Sequence, residues 1–171
     1  MDLILSDRSL PIPEIEHPSL TFFDLSKLKI ANCMGCFGCW TKTPGKCVIR
    51  DDAVQVYPKI AASSRVMYIS RIRYGSYDIP MKTMLERAIP VQQAFIRLWH
   101  GETHHVQRQV VPKQAIIIGY RTKTPAEQEV FRHLVARNAH NMNFADYRVV
   151  FTSEKDLLDT VRKEVLLWAK S

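Results

Sequence analysis

Four cysteines lie within fifteen residues of this chain, and it contains no others. Cys33, Cys36, Cys39 and Cys47 form two successive Cys-x-x-Cys steps, followed by a fourth cysteine eight positions later. This count and spacing suit the four thiolate ligands of a [4Fe–4S] cluster. Structural zinc fits less well, because its ligands usually form two separated pairs. Redox pairing within one Cys-x-x-Cys step, and free thiols partly buried by aromatic neighbours, are the other two interpretations.

The charge of the chain bears on its partners. Lys and Arg number 24 against 17 Asp and Glu, which gives a net charge of +7 at pH 7. The basic residues are dispersed, and no helix-turn-helix, zinc-finger or aromatic RNA-binding pattern accompanies them, so we expect no nucleic-acid partner. No apolar run approaches the roughly 20 residues of a membrane span, and residues 1–7 do not resemble a signal peptide. We therefore expect a cytoplasmic protein with reduced thiols and no membrane partner.

Five short β-rich runs, with helical patterns after most of them, predict a parallel sheet with crossover helices. The predicted strands are residues 3–5, 21–23, 65–70, 114–118 and 149–151, and the predicted helices are 51–62, 79–89, one beginning at 124–125, and 155–170. Residues 91–112 are the least regular part of the pattern. Between the first two strands Pro11, Pro13 and Pro18 disfavour a crossover helix.

This pattern predicts one domain over residues 1–171, a three-layer doubly wound α/β sandwich with strand order 2-1-3-4-5. In such a sheet the ligand crevice lies at the carboxyl ends of strands one and three, flanked by the loop after strand four. We therefore expect the binding residues in the loops that follow these three strands.

Other polar residues have simpler interpretations. His104 and His105 are adjacent, and neighbouring side chains on a strand point to opposite faces, so the pair is not expected to bind one ion. Asp51 and Asp52 stand at a predicted helix start, where capping is the expected role. Arg87 has Lys and Glu neighbours at helical spacing, which predicts a local ion-pair network.

Two segments together resemble a known family. The first runs from Cys33 through the other cysteines and Trp40 to Asp51-Asp52, and the second is Ser70-Arg-Ile-Arg-Tyr-Gly75, followed by Lys82 and Arg87. They are similar to the cysteine loop and the Ser/Thr-Pro-Val-Tyr-x-Gly loop of the NADPH-dependent FMN reductase-like branch of the flavodoxin-like superfamily, which includes iron–sulfur flavoproteins. The resemblance covers residues 30–125. It implies a flavodoxin-like fold, FMN as cofactor, NAD(P)H as electron donor and a homodimer.

Two departures from the family pattern concern the cofactor. The Gly-Ser-Pro-Arg loop that holds the FMN phosphate is replaced by residues 6–11, Ser-Asp-Arg-Ser-Leu-Pro, without a glycine, and Pro-Val-Tyr of the second loop is replaced by residues 71–73, Arg-Ile-Arg. Guanidinium groups bind phosphate in place of backbone amides. We expect Tyr74 and Tyr77 to stack on a ring system. The candidate cofactor-binding residues are Ser6, Arg8, Ser9, Ser70, Arg71, Ile72, Arg73, Tyr74, Gly75, Tyr120 and Arg121.

The sequence thus predicts an FMN-binding protein that acts as an NAD(P)H-dependent oxidoreductase or electron-transfer flavoprotein. No catalytic residue is assigned and enzymatic activity stays open, because a flavin itself supplies the chemistry. Two alternatives also stay open. One is a flavodoxin-like interaction module without flavin, and the other is an iron–sulfur flavoprotein that binds a [4Fe–4S] cluster through Cys33, Cys36, Cys39 and Cys47.

Overall fold

The computed structural model of the chain describes residues 1–12 and 20–169. The strands in these residues are β1 Asp2–Ser6, β2 Leu20–Asp24, β3 Arg65–Arg73, β4 Ser76–Tyr77, β5 Gln92–Trp99, β6 Glu102–Gln107, β7 Lys113–Tyr120 and β8 Phe144–Thr152. The helices are α1 Gly38–Thr41, α2 Ala53–Ala62, α3 Ile79–Glu86, α4 Pro125–Asn141 and α5 Leu157–Ala169. None of these helices is long and apolar enough to span a lipid bilayer.

Five parallel strands form the central sheet in the order β2-β1-β3-β7-β8. The predicted order 2-1-3-4-5 is therefore confirmed. Strand β4 pairs antiparallel with the end of β3, so that Ile72 lies opposite Tyr77. Ser6 at the end of β1 pairs with Ile69, and Ser70 pairs with Gly119 of β7. This register brings the loops after β1, β3 and β7 to one edge of the sheet.

Side chains that alternate along the strands build a core on each face of the sheet. Leu3 and Leu5 of β1 pack on one face among residues of α2, α3 and α4, whereas Ile4 between them packs on the other face against α5. Helix α5 presents Leu157, Val161 and Val165, which are each 1% exposed, to that second core. The three-layer doubly wound arrangement is thus confirmed, since helices cover both faces of a parallel sheet.

Residues 91–112 were predicted to be the least regular segment, and that prediction was wrong. Strands β5 and β6 form an antiparallel hairpin in which Ile96 lies opposite His105. His100 and Gly101 at its tip have φ angles of 51° and 78°, as a two-residue hairpin turn requires. A register shift between Gln92 and Ile96 interrupts the alternation of side chains, which removes the period of two that would have predicted a strand.

The proline-rich connection between β1 and β2 cannot be compared with its prediction over its whole length. Pro11 lies outside any helix or strand. Pro13 and Pro18 fall among residues 13–19, which lie outside the described part of the chain.

Arg87 is buried, and its partner is distant in sequence. Its side chain is 1% exposed, and Nη1 and Nη2 donate to the carboxylate of Asp51 at 2.6 and 2.9 Å. Nη1 also donates to the carbonyl of Ala31 at 2.7 Å. The predicted local ion-pair network was therefore wrong.

The capping prediction is confirmed for Asp51, which accepts from the amide of Ala53 at the start of α2. It was wrong for Asp52, which is the N-cap residue but makes no capping bond and instead accepts from the amide of Lys29. Arg87 thus fastens both ends of the cysteine segment to the end of α3.

Candidate functional site

A cleft of about 800 Å³ opens at the carboxyl edge of the sheet, between the loops that follow β3 and β7. Six of the candidate residues line it: Arg71, Ile72, Arg73, Tyr74, Gly75 and Arg121. Residues 122–124 and the first turns of α4 complete the wall. The other five candidates, Ser6, Arg8, Ser9, Ser70 and Tyr120, lie at the same edge outside the wall of this cleft.

Asp7, which was not among the candidates, organises the centre of this edge. Its Oδ1 accepts from the Tyr120 hydroxyl at 2.8 Å, and its Oδ2 accepts from the Ser70 hydroxyl at 3.0 Å and the Arg71 amide at 2.6 Å. The residue is 8% exposed. Burial raises the pKa of the Asp7 carboxyl, although these donors act in the opposite direction. The donors that strands β3 and β7 direct at this position therefore already have an acceptor within the chain.

The two serines after β1 hold local structure. The Ser6 hydroxyl donates to the Arg8 carbonyl at 2.7 Å and accepts from the Arg8 amide. The Ser9 hydroxyl donates to the carboxylate of Asp24 at the end of β2. Because both hydroxyls already have partners, residues 6–9 do not form an open phosphate-binding loop.

Carboxylates neutralise most of the arginines at this edge. Arg8 and Arg121 both form ion pairs with Glu154, the Arg8 Nη1–Glu154 Oε1 distance being 2.7 Å. Arg71 forms an ion pair with Asp78, in which Nε of Arg71 lies 3.7 Å from Oδ2 of Asp78. Arg73 differs, because in the described part of the chain it forms no ion pair. Its guanidinium carbon lies 5.4 Å from the centroid of the Tyr74 ring.

The turn between β3 and β4 is fastened to helix α4. The amide of Gly75 donates to Oε1 of Glu127 at 3.3 Å, while Oε2 of the same carboxylate accepts from the amide of Lys123 at 2.7 Å. Hydrogen bonds from these amides, that of Lys123 foremost, lower the pKa of Glu127. A Cβ on Gly75 would lie 2.5 Å from a methyl carbon of Val130. The close approach that requires this glycine is therefore to α4.

Tyr74 and Tyr77 have different environments although the sequence predicted ring stacking for both. Tyr74 has a φ of 55° and is 83% exposed at the mouth of the cleft. Tyr77 is buried, and its ring meets Phe131 edge-on with centroids 4.9 Å apart. Only Tyr74 is therefore placed to stack on a ligand, and Tyr77 belongs to the core.

Comparison with solved structures identifies the fold. The azoreductase AzrA superposes with a TM-score of 0.60 and 11% sequence identity, over 97% of this chain and 93% of that one. An FMN-dependent NADH-azoreductase from Bacillus anthracis, solved in complex with FMN, gives 0.57 and 10% over 99% and 97%. An NAD(P)H:quinone oxidoreductase from Methanothermobacter marburgensis gives 0.54 and 8% over 94% and 92%. The chain has a flavodoxin-like fold. No protein-family model matches its sequence, and a comparison with curated proteins gives no match either.

In this flavodoxin-like chain, only part of the edge suits a phosphorylated ring compound such as FMN. Arg73 and Lys123 are cations on opposite walls of the cleft, Tyr74 offers an exposed ring, and Val130 adds apolar surface. These groups suit a planar ligand with an anionic end. The loop after β1 does not suit a phosphate, because the carboxylate of Asp7 already occupies the donors there. The cleft between β3 and β7 is the part that fits.

The four cysteines lie together beside the end of α3, away from the cleft between the loops after β3 and β7. Cys33 and Cys36 are exposed, Cys39 and Cys47 are half-buried, and all four are free thiols that line a small cavity of about 30 Å³ beside Arg87. Burial, and then the neighbouring thiol of Cys47, raise the pKa of Cys39. Among residues 1–12 and 20–169, no group of three or more His, Cys, Asp or Glu side chains is arranged to hold a metal ion. The iron–sulfur alternative therefore has no support from this arrangement.

Proposed function

We propose that this chain binds FMN in the cleft between the loops after β3 and β7 and acts as an NAD(P)H-dependent flavin oxidoreductase. The observation that carries the proposal is an open, cation-lined cleft with an exposed tyrosine at the carboxyl edge of a doubly wound sheet. Ligands of such sheets bind at this edge. The Bacillus anthracis azoreductase with the same fold holds FMN, and the sequence resemblance to FMN reductase-like proteins points to the same cofactor.

The roles of the residues follow from their positions. Arg73 has no ion-pair partner in the described residues, and Lys123, whose charge acts on Glu127, lines the same cleft, so these two are the cations assigned to the phosphate. Tyr74 is assigned to the face of the ring, since its own ring is exposed and already carries a cation beside it. Glu127 holds the turn at Gly75 in place through backbone amides. FMN, when bound, supplies the electron-transfer chemistry, and the residues of the chain bind and orient it.

A titration with FMN tests the proposal directly. Purified protein should show the two-banded visible spectrum of a flavin, or should acquire it when FMN is added, and should then oxidise NADH or NADPH. Arg73→Ala should weaken FMN binding about tenfold or more. Arg162→Ala is a matched control, because Arg162 is an exposed arginine of α5 that pairs only with Asp159 in the described residues. A colourless protein that binds no added FMN would overturn the proposal.

A second function is favoured by one observation. Asp7 occupies the donors at the centre of the edge, as would suit a flavodoxin-like chain that works as an interaction module without flavin. The same titration separates the two proposals. If neither the protein as purified nor the Asp7→Asn variant binds FMN, the module without flavin is the function that remains.

A further inference from the structure

A cavity of about 390 Å³ lies between α3, α4 and the β5–β6 hairpin, and we call it the α3–α4 cavity. Helix α4 contributes Leu134, Asn138 and Asn141 to its wall, and β6 contributes His105. It shares no lining residue with the cleft proposed for FMN, which α4 lines only as far as Val130. Its volume lies in the lower part of the range of small-molecule sites, so it has room for a compact ligand.

The turn between β3 and β4 separates the α3–α4 cavity from the cleft. Residues up to Gly75 line the cleft, whereas Ser76 and Tyr77 line the α3–α4 cavity. Gly75 packs so closely on α4 that an added Cβ would lie 2.5 Å from a methyl carbon of Val130. This packed contact stands between the two spaces, so a ligand of the α3–α4 cavity does not depend on FMN in the cleft.

The floor of the α3–α4 cavity is apolar. Val91 is buried, and Leu85, Leu134 and Met142 are half-buried side chains that pack against the core. The ring of Tyr77 is 6% exposed and is held by its edge-on contact with Phe131. Burial of apolar ligand surface against these side chains is favourable, so the floor suits an apolar group.

Polar groups with free hydrogen-bonding capacity line the same cavity. In the described residues, the hydroxyl of Tyr77 and the side-chain amide of Asn138 form no hydrogen bond. Burial raises the pKa of Tyr77, so its hydroxyl stays neutral and able to donate. The side-chain oxygen of Asn141 contacts the ring of His104 at 3.0 Å, and this leaves the amide nitrogen of Asn141 available. A few such groups above an apolar floor can fix the orientation of a ligand.

Two opposite charges stand at the mouth of the cavity. Lys82 and Glu86 are both exposed, both line the cavity, and lie four residues apart on α3. The lysine comes first, which is the weaker order for an ion pair within a helix. Within residues 1–12 and 20–169, neither side chain forms an ion pair. A cation and an anion one helical turn apart are therefore both open to a ligand.

We propose that the α3–α4 cavity binds a zwitterionic α-amino acid with an apolar side chain. The α-carboxylate binds Lys82, the α-ammonium binds Glu86, and the apolar side chain packs on the floor between α3 and α4. Charge-assisted hydrogen bonds of this kind are the stronger ones in proteins. A ligand with only one of the two charges would be repelled by the like charge at the mouth, so the pair selects a molecule that carries both.

Isothermal titration calorimetry of the full chain at neutral pH tests the proposal, with L-phenylalanine as the probe. Phenylpropanoate lacks the ammonium group of phenylalanine, and phenylethylamine lacks its carboxylate, while both keep the ring. Phenylalanine should bind, and each singly charged compound should bind about tenfold more weakly or worse, because it loses one charged contact and gains one repulsion. The shared ring holds the apolar contribution constant across the three compounds.

Two variants assign the charges to residues. Lys82→Ala should weaken binding of phenylalanine about tenfold without weakening that of phenylethylamine, which has no carboxylate. Glu86→Ala should weaken binding of phenylalanine about tenfold without weakening that of phenylpropanoate. Lys163→Ala is the matched control, because Lys163 is an exposed lysine of α5 that does not line the cavity. All three positions are exposed, and urea midpoints verify that the variants fold.

The proposal fails if the parent chain binds no phenylalanine in the millimolar range. It fails equally if a singly charged compound binds as tightly as phenylalanine, since the mouth would then not select a zwitterion. Loss of phenylalanine binding in Lys163→Ala, to the same extent as in Lys82→Ala, would show that the effect is one of overall charge and would also overturn it. None of these outcomes depends on whether the cleft binds FMN.

Discussion

The loop after β1 and the loops after β3 and β7 lie at the same edge of one sheet, yet they offer a ligand different chemistry. After β1, the carboxylate of Asp7 already accepts three hydrogen bonds, and Arg8 is paired with Glu154. Between β3 and β7, a cleft of about 800 Å³ keeps the cation of Arg73 and the ring of Tyr74 open. The loop after β1 therefore has no open groups for an anionic ligand, whereas the cleft between the loops after β3 and β7 has them.

This difference shows that a binding edge can be altered by a single residue. Asp7 directly follows a buried strand at the switch point of the sheet, in the loop that stands in place of the glycine-containing phosphate loop of the family that this chain resembles. A carboxylate there satisfies the same donors from within the chain and repels a second anion. Binding capacity then depends on side chains of the neighbouring loops.

The largest effect is expected at Gly75, which holds the β3–β4 turn against α4. Gly75→Val should lower the free energy of unfolding by about 3 kcal/mol or more, because its side chain would overlap Val130 at a φ of 70°. Gly101→Val is the matched control, since Gly101 has a φ of 78° but no atom within 4 Å of its added Cβ. Urea denaturation measures both variants, and equal losses would contradict the role given to the contact with α4.

A smaller loss is expected for Asp7→Ala, about 2 kcal/mol in the free energy of unfolding, because Ser70, Tyr120 and the Arg71 amide lose their acceptor. The same change frees these donors, so FMN or inorganic phosphate should bind about tenfold more tightly. Asp7→Asn retains one acceptor oxygen and should change both quantities less. Unchanged anion affinity in Asp7→Ala would remove the distinction between the two loops.

The two loops can be compared directly through their arginines. Arg73→Glu should weaken FMN binding by tenfold or more, about 1.4 kcal/mol, because it replaces an unpaired cation of the cleft by an anion. Arg8→Ala should leave FMN binding nearly unchanged, since Arg8 lies outside the wall of the cleft and is engaged by Glu154. Fluorescence quenching of FMN measures both affinities. A larger loss in Arg8→Ala would place the phosphate at the β1 loop.

The smallest expected effect is a pH dependence that arises from Asp7. Burial raises the pKa of Asp7 in the folded state above its value in the unfolded chain. Between these two pKa values the folded state binds more protons, so the free energy of unfolding should fall as the pH rises through that acidic window. Asp7→Asn lacks this titration. Its free energy of unfolding should therefore increase relative to that of the parent chain as the pH rises through the same window. Urea midpoints that run parallel would contradict the burial of an ionisable carboxyl.

Local pattern was sufficient to predict the parallel sheet. Runs such as 114–118 are continuously apolar and β-branched, and such runs occur where helices cover both faces of a strand. Pattern was insufficient for the β5–β6 hairpin, because a bulge and a partly solvated strand give no regular period. It was also insufficient for Arg87, whose partner Asp51 lies 36 residues away.

For the candidate site, the sequence identified the three loops, but the state of each side chain depends on distant partners. Arg8 and Arg121 look equivalent to Arg73 in sequence, yet Glu154 engages the first two. The sequence alone did not identify Asp7, because its role as an acceptor depends on Ser70 and Tyr120, which belong to other strands. An acidic residue directly after a buried strand at the switch point was the signal that could have identified it.

The sequence by itself determined the five parallel strands and their order, and it predicted the edge of the sheet at which a ligand is expected, because apolar periodicity and connection rules act over short stretches of chain. The tertiary structure alone decided which cations remain open, that Gly75 faces α4, and that the four cysteines share one cavity beside Arg87. Charge pairing and close packing join residues that are far apart in sequence, so they exist only once the chain has folded.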